Sequence, residues 1–170
     1  ENKNSAKVLM KEIEYKTLPD GEHQITTYVY ANDNDKIVQV TVNDNRGRKK
    51  EEYILEGDEK KALRQYTYNP DGTLAKETEA DDSATYYFYD IQGNVTQKYI
   101  PTMKVNGKIY YTWIGYTYDR AGRLIKESIG SDFVENISPL SVPAITTYDI
   151  IYVYKDGLLI EQIEPSGLKT

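Results

Sequence analysis

The stretch Tyr116-Thr117-Tyr118-Asp119-Arg120-Ala121-Gly122-Arg123-Leu124 decides the fold, because it recurs along the chain. Its copies are Tyr66-Thr67-Tyr68-Asn69-Pro70-Asp71-Gly72-Thr73-Leu74 and Tyr87-Phe88-Tyr89-Asp90-Ile91-Gln92-Gly93-Asn94-Val95. A fourth, Tyr152-Val153-Tyr154-Lys155-Asp156-Gly157-Leu158-Leu159, is one residue shorter. A three-residue hairpin loop is a type I turn followed by one left-handed residue, a conformation glycine adopts without steric cost. Taking Pro70-Asp71-Gly72 as that loop pairs Asn69 with Thr73 and sets Tyr68 opposite Leu74. The same register sets Tyr89 opposite Val95 across Gly93, and Tyr118 opposite Leu124 across Gly122. The two tyrosines of each copy stand two apart, so both rings project from one face of a strand.

The short copy tests this reading. Its Asp156-Gly157 is a two-residue loop, which pairs Lys155 with Leu158 and still sets Tyr154 opposite Leu159. The cross-strand contact therefore outlasts a change of turn, and it reads as the retained element.

Fainter copies extend the rhythm toward the N-terminus. Tyr28-Val29-Tyr30 leads into Asn32-Asp33-Asn34-Asp35, where a two-residue Asp33-Asn34 loop would pair Tyr30 with Ile37. Pro19-Asp20-Gly21 and Asp44-Asn45-Arg46-Gly47 mark further hairpins, with other turns near Glu56–Lys60, Ala80–Ser83 and Asn106-Gly107. Asp58–Arg64 has the length of one helical turn but no apolar stripe. The expected fold is all-β: an antiparallel meander of about twelve strands in a strongly curved single sheet, with barrel-like closure left open. Residues 1–170 read as one β-meander domain, clearest over 66–163. The rhythm breaks at 130–145, a long loop bearing Pro139 and Pro143, whose Phe133, Ile137 and Leu140 would tuck over a sheet end or form a lid.

Composition bounds the chemistry. Tyr supplies 17 residues against two Phe and one Trp, which suits sheet faces that are apolar along the ring and wet at the hydroxyl. A net charge of −6 argues against nucleic acid, and the basic run Arg46–Lys50 reads as a solvated turn. Without cysteine there is no disulfide, thiolate metal site or cysteine nucleophile. No apolar run is long enough for a membrane span. The first residues, Glu1-Asn2-Lys3-Asn4-Ser5, read as a trimmed start from which an export signal has been removed.

The motif Tyr116-x-Tyr118-Asp119-x-x-Gly122-Arg123-Leu124 resembles the YD-repeat (Rhs-repeat) family, and the Tyr87 copy matches with Asn94 in place of Arg. The Tyr66 copy departs at Asn69, and the Tyr152 copy at Lys155 and in length. The resemblance implies a structural repeat in an exported bacterial protein of the periplasm or cell surface. Large members enclose a toxin domain. At 170 residues the chain is short for such a shell, so that role is not carried over.

Candidate sites are few. His23 is the only histidine and flanks a turn, where it reads as solvated rather than catalytic. Asn32-Asp33-Asn34-Asp35 starts like a calcium loop but continues Lys36-Ile37, and Asp81-Asp82 reads as a turn as well, so no metal or cofactor is expected. With 27 acidic residues, some carboxylate pair at hydrolase spacing is inevitable, but none stands out; Glu77 and Glu79 read as a solvated face. The densest aromatic cluster outside the repeats is Tyr110-Tyr111-Thr112-Trp113. Exposed rings there would make a ligand surface of Trp113, Tyr111 and Tyr110, while the alternative is that they simply cover the sheet. The functional expectation is a non-catalytic structural or interaction module whose partner is another protein or an envelope glycan. The alternatives are a carbohydrate-binding module and, behind it, an acid-catalysed glycoside hydrolase.

Overall fold

A computed structural model describes residues 10–32, 35–133, 137–139 and 146–165. Twelve strands appear in it: β1 (Met10–Thr17), β2 (His23–Asn32), β3 (Asp35–Asn43), β4 (Lys49–Glu56), β5 (Glu59–Tyr68) and β6 (Leu74–Glu79). They continue as β7 (Ala84–Tyr89), β8 (Val95–Val105), β9 (Lys108–Tyr118), β10 (Leu124–Phe133), β11 (Thr146–Lys155) and β12 (Leu158–Ile163). The hydrogen-bonded order is the chain order, β1 to β12, so the sheet is one antiparallel meander. Among the described residues β1 pairs only with β2 and β12 only with β11, so no pairing closes a barrel. No helix is present there, and Asp58–Arg64 lies in a hairpin turn and strand rather than a helical turn.

The predicted hairpin register holds at the three clear repeats whose pairing is described. Tyr89 faces Val95, Tyr118 faces Leu124, Tyr154 faces Leu159 and Lys155 faces Leu158. Asn69 N–H donates to the Thr73 carbonyl at 2.8 Å, and Gly72 N–H to the Asn69 carbonyl at 2.9 Å, as the three-residue loop requires. At the weakest copy the register differs. Tyr30 faces Lys36, and Ile37 faces Val29, because a bulge between Tyr30 and Asn32 shifts the ladder by one. The Asp33-Asn34 loop itself lies outside the described residues.

The turns reveal what the aspartate of the repeat does. Asp119 Oδ1 accepts the N–H groups of Ala121 (2.8 Å) and Arg123 (3.0 Å), while Oδ2 accepts Arg123 Nε–H at 2.7 Å. Asp44 repeats this with Arg46, Arg48 and the Arg48 guanidinium. Asp90 does so with Gln92 and Asn94, the Asn94 amide standing in for the guanidinium at 2.9 Å. In the Asn69 copy the carboxylate has moved inside the loop: Asp71 Oδ1 accepts Thr73 N–H at 2.9 Å. One carboxylate thus satisfies two backbone donors that the tight loop turns away from the ladder.

The clamp and the tyrosine contact are separable. Asp44–Arg48 has the clamp without a Tyr-x-Tyr strand, and Tyr154–Leu159 has the contact without the clamp. The ladder skips a residue just after Val95, Leu124, Leu159 and Lys49, and such bulges add local twist. Side chains account for the basic run Arg46–Lys50 as well: Arg48 pairs with Asp44, Lys49 with Glu52 at 2.6 Å, and Lys50 with Glu22.

By packing, the chain forms two compact units, 1–67 with 77–82, and 68–76 with 83–170. In the first, Val38, Val40 and Val42 form a buried row on β3, flanked by Leu18, Tyr28, Tyr53 and Leu55. In the second, the core is aromatic: Tyr99, Tyr111 and Trp113, with Tyr86, Phe88, Ile109 and Ile137 against them.

Two outcomes follow from the turns. Asp82 takes the left-handed place that glycine holds in the other loops, at φ 66°, with its N–H on the Glu79 carbonyl at 3.1 Å. Asp82→Gly should therefore raise stability by about 0.5–1 kcal/mol in urea denaturation, despite the entropy glycine adds to the unfolded chain. The Asp119 carboxyl is held below the usual range by the Arg123 N–H and guanidinium, and that of Asp90 by the Asn94 amide and backbone donors. At Asp44 burial pushes the other way, but Arg48 and the turn N–H groups outweigh it. A carboxyl more acidic folded than unfolded stabilises the fold fully above its unfolded pKa of about 3.9, and loses this as pH falls through the lower folded value. The urea midpoint should hold from pH 7 to about 4 and then fall. A variant with Asn at positions 44, 90 and 119 should show a shallower acid decline from a lower starting midpoint.

Candidate functional site

The aromatic cluster lies within the second unit, on the face of β9 opposite the tyrosines of its own repeat. Along β9 the odd residues Tyr111, Trp113 and Gly115 are buried, and the even residues, including Tyr116 and Tyr118, project from the other face. The two aromatic sets therefore occupy opposite faces of the strand and do not mix. Pairing brings Tyr86, Tyr99, Trp113 and Gly130 into one row across β7, β8, β9 and β10. Tyr111 meets Tyr86 and Tyr99 edge-on, with centroids 6.2 and 6.4 Å apart, and Phe88 meets Tyr99 edge-on at 6.1 Å. Such geometry places ring edges against ring faces, the favourable arrangement for aromatic quadrupoles.

Gln97 is the polar centre of this face, and sequence reasoning missed it. Its Oε1 accepts Trp113 Nε1–H at 3.2 Å and the Tyr99 hydroxyl at 3.3 Å. Its Nε2 donates to the Pro139 carbonyl at 2.7 Å, and Ile137 packs against the cluster. The segment 137–139 thus lies over the aromatic row, and one amide satisfies groups that burial would otherwise leave without water. No sequence signal marks Gln97, because two of its three partners come from the next strand and from a loop about forty residues away. Phe133 and Leu140, the other residues expected to tuck this loop down, lie outside the residues whose side chains are described.

The three residues expected to form a ligand surface are separated. Trp113 is 7% exposed and Tyr111 6%, while Tyr110, on the opposite face, is 37% exposed. Burial raises the Tyr111 and Tyr99 phenols above their ordinary pKa. Only Tyr110 presents a ring to solvent, so the structure places Trp113 and Tyr111 in the core and offers no shared three-ring platform. Gly115 explains how the indole fits: a Cβ there would stand 2.4 Å from Trp113 Cη2, so the ring lies where a side chain would be.

The other candidates resolve into structural contacts. His23 is exposed beside the first turn, with Nδ1 3.4 Å from the Thr17 hydroxyl. Glu77 and Glu79, expected on a solvated face, both bind Arg64, at 2.9 and 2.8 Å. Hydrogen bonding to Tyr66 and Glu79 raises the Arg64 pKa, so its charge is fixed. Asp82 sits in a turn, and among the described residues no group of three His, Cys, Asp or Glu is gathered as a metal site would need. No helix there is long and apolar enough to cross a membrane.

The first unit carries a cleft of about 540 Å³, with Thr26, Val38 and Leu55 on its floor and Glu14, Lys16, Gln24 and Lys36 around it. Tyr28 donates its hydroxyl to Glu14 at 2.8 Å, and Tyr30 donates to Glu12 at 3.2 Å. The Glu14 hydrogen bond, then desolvation, raises the Tyr28 pKa. The carboxylates on this face therefore serve as acceptors for neighbouring phenols, and the cleft is a mixed-charge surface over an apolar floor.

Comparison with known proteins finds no matching family model and no match among curated proteins. Among solved structures, a TcdB2–TccC3–Cdc42 crystal structure overlaps 85% of this chain and 9% of its own, at 16% identity and a TM-score of 0.36. A TcdB2–TccC3–TEV crystal structure overlaps 86% of this chain and 11% of its own, at 14% identity and a TM-score of 0.28. The chain therefore spans only about a tenth of those chains. At these scores neither likeness bears on function.

Gly115→Ala should cost about 1–3 kcal/mol, because the new methyl must displace the indole, and should shift the Trp113 emission maximum to longer wavelength. Thermal melts with fluorescence detection read both effects at once.

Proposed function

We propose that the chain is a non-catalytic scaffold module of the YD-repeat kind, exported by a bacterium, whose exposed surface engages another protein. One observation carries this reading: the polar groups of the repeat are consumed in holding the repeat together. Asp44, Asp90 and Asp119 each bind their own turn, with Arg48, Asn94 and Arg123 completing the clamp. The tyrosine hydroxyls act between repeats. Tyr89 donates to the Leu74 carbonyl and Tyr118 to the Val95 carbonyl, both at 2.9 Å. A residue pattern that recurs with the same internal partners serves architecture, since a catalytic group must reach substrate instead. Export rests on the resemblance of Tyr116–Leu124 to the YD unit, and a protein partner is favoured by the row of exposed aliphatic residues at Leu158, Leu159 and Ile160.

The carbohydrate-binding reading keeps Tyr110 alone of its three rings in solvent. A glycan array and a panel of chromogenic glycosides test the proposal. The expected result is no glycan signal, no turnover, and an unchanged Trp113 emission on adding polysaccharides. A glycan signal that Tyr110→Ala abolishes without lowering Tm would sink the scaffold reading.

A further inference from the structure

The interior repeats show how one hairpin receives the next, and β12 presents the same receiving edge with no following strand among the described residues. In each of the first two clear repeats the strand that follows the turn begins with its aliphatic residue, Leu74 on β6 and Val95 on β8. The next strand in the sheet, β7 or β9, then donates the phenol of its second tyrosine to the backbone carbonyl of that residue. The first tyrosine of a repeat finds an acceptor further along. Tyr152 on β11 donates to Glu127 on β10 at 2.8 Å, which raises the Tyr152 pKa to about 12 together with burial, the larger cause.

On β12 the same positions are occupied in the same register. Leu159 faces Tyr154 as Leu124 faces Tyr118, and Gln162 faces Tyr152 as Glu127 faces Tyr116. Leu159 thus stands where Leu74 and Val95 offer a carbonyl, and Gln162 stands where Glu127 offers an oxygen. The burial differs. Leu74, Val95 and Leu124 are half-buried, whereas Leu158, Leu159 and Ile160 are 71%, 51% and 57% exposed. The two edge strands are also unlike each other. β1 carries Lys11, Glu12, Glu14 and Lys16, the charges that discourage strand addition, while β12 opens with three aliphatic residues in a row.

We propose that the β12 edge is a docking site for an extended strand of a partner protein that carries a Tyr-x-Tyr pair. The partner strand adds antiparallel to β12, its second tyrosine over Leu159 with the phenol on the Leu159 carbonyl, and its first tyrosine reaching Gln162. Main-chain hydrogen bonds supply affinity, and the two rings supply selectivity, as in other strand-addition complexes. This deepens the scaffold reading by naming the surface and the chemistry of what it holds.

The probe is a synthetic peptide copying residues 114–120, the strand end that docks on β8 within the chain, added to the isotope-labelled full chain. Amide exchange at Leu158–Ile163 should slow about ten-fold at saturation, the scale of gained strand hydrogen bonds. The same peptide with both tyrosines replaced by Phe should bind about ten-fold more weakly. Ile160→Lys, at an exposed bulge position, should abolish binding while leaving Tm unchanged. Four results overturn the proposal: β12 resonances that stay unmoved, equal protection of β1, equal affinity of the Phe peptide, or protection of β12 without peptide. The last would mean that a second copy or the chain after residue 165 already occupies the edge. Failure here leaves the scaffold reading intact, whereas a glycan signal of the kind described above would remove that reading without touching strand addition.

Discussion

Side chains on a β-strand alternate with a period of two, so a slip of one residue turns a whole strand inside out. In a meander every strand takes its register from the turn before it, and the molecule depends on those turns. The repeat meets this constraint with an Asp-anchored loop. The carboxylate of Asp44, Asp90 or Asp119 holds two N–H groups of its own loop, and the glycine at Gly47, Gly93 or Gly122 takes the left-handed conformation that closes it. Where the Asp-anchored loop is absent, at Asp156-Gly157, both loop residues take positive φ, and the two-residue hairpin sets the register by itself. Where it is present at Asp44–Arg48, register is kept without any tyrosine pair.

Once register is set, the two faces of each strand can be given different work. In the second unit one face is built from Tyr86, Phe88, Tyr99, Tyr111 and Trp113, with Gln97 serving the buried indole and phenol. The other bears the repeat tyrosines, of which Tyr89, Tyr118 and Tyr152 donate their hydroxyls to the preceding strand. A phenol suits this second role because its ring packs on an aliphatic neighbour while its tip still reaches a carbonyl or carboxylate. The abundance of tyrosine over phenylalanine follows: the chain uses rings that also hydrogen-bond. Cations join in the same way, with the Arg123 guanidinium 4.8 Å from the Tyr154 ring centroid and Lys98 Nζ 5.3 Å from that of Tyr87.

The same economy explains why the site was harder to foresee than the fold. A Tyr–Leu pair across a turn is a local matter of a few residues, and its spacing can be read directly. Whether Trp113 faces water depends on what lies over it, and here that is Ile137 with the Pro139 carbonyl held by Gln97. Those contacts are long-range, and they involve an ordinary glutamine on an ordinary strand. Gly115 carries a trace of the answer, since a glycine within a strand marks a close approach. At Tyr30 the local reading itself failed, because a bulge inserts a residue into the ladder and no turn signal announces it.

By itself, the sequence determined the elements and, at the clear repeats, their pairing. The positions of Gly93, Gly122 and Gly157 set the loop lengths, loop length sets register, and register places Tyr89, Tyr118 and Tyr154 opposite their aliphatic partners. Tertiary structure alone decided which aromatic residues are core and which surface, which acids are acceptors for phenols, and which edge is left apolar. The physical reason is range. A turn is settled by the conformational limits of a few neighbouring residues, whereas burial and the partner of a hydroxyl are settled by strands that the chain brings alongside only after folding.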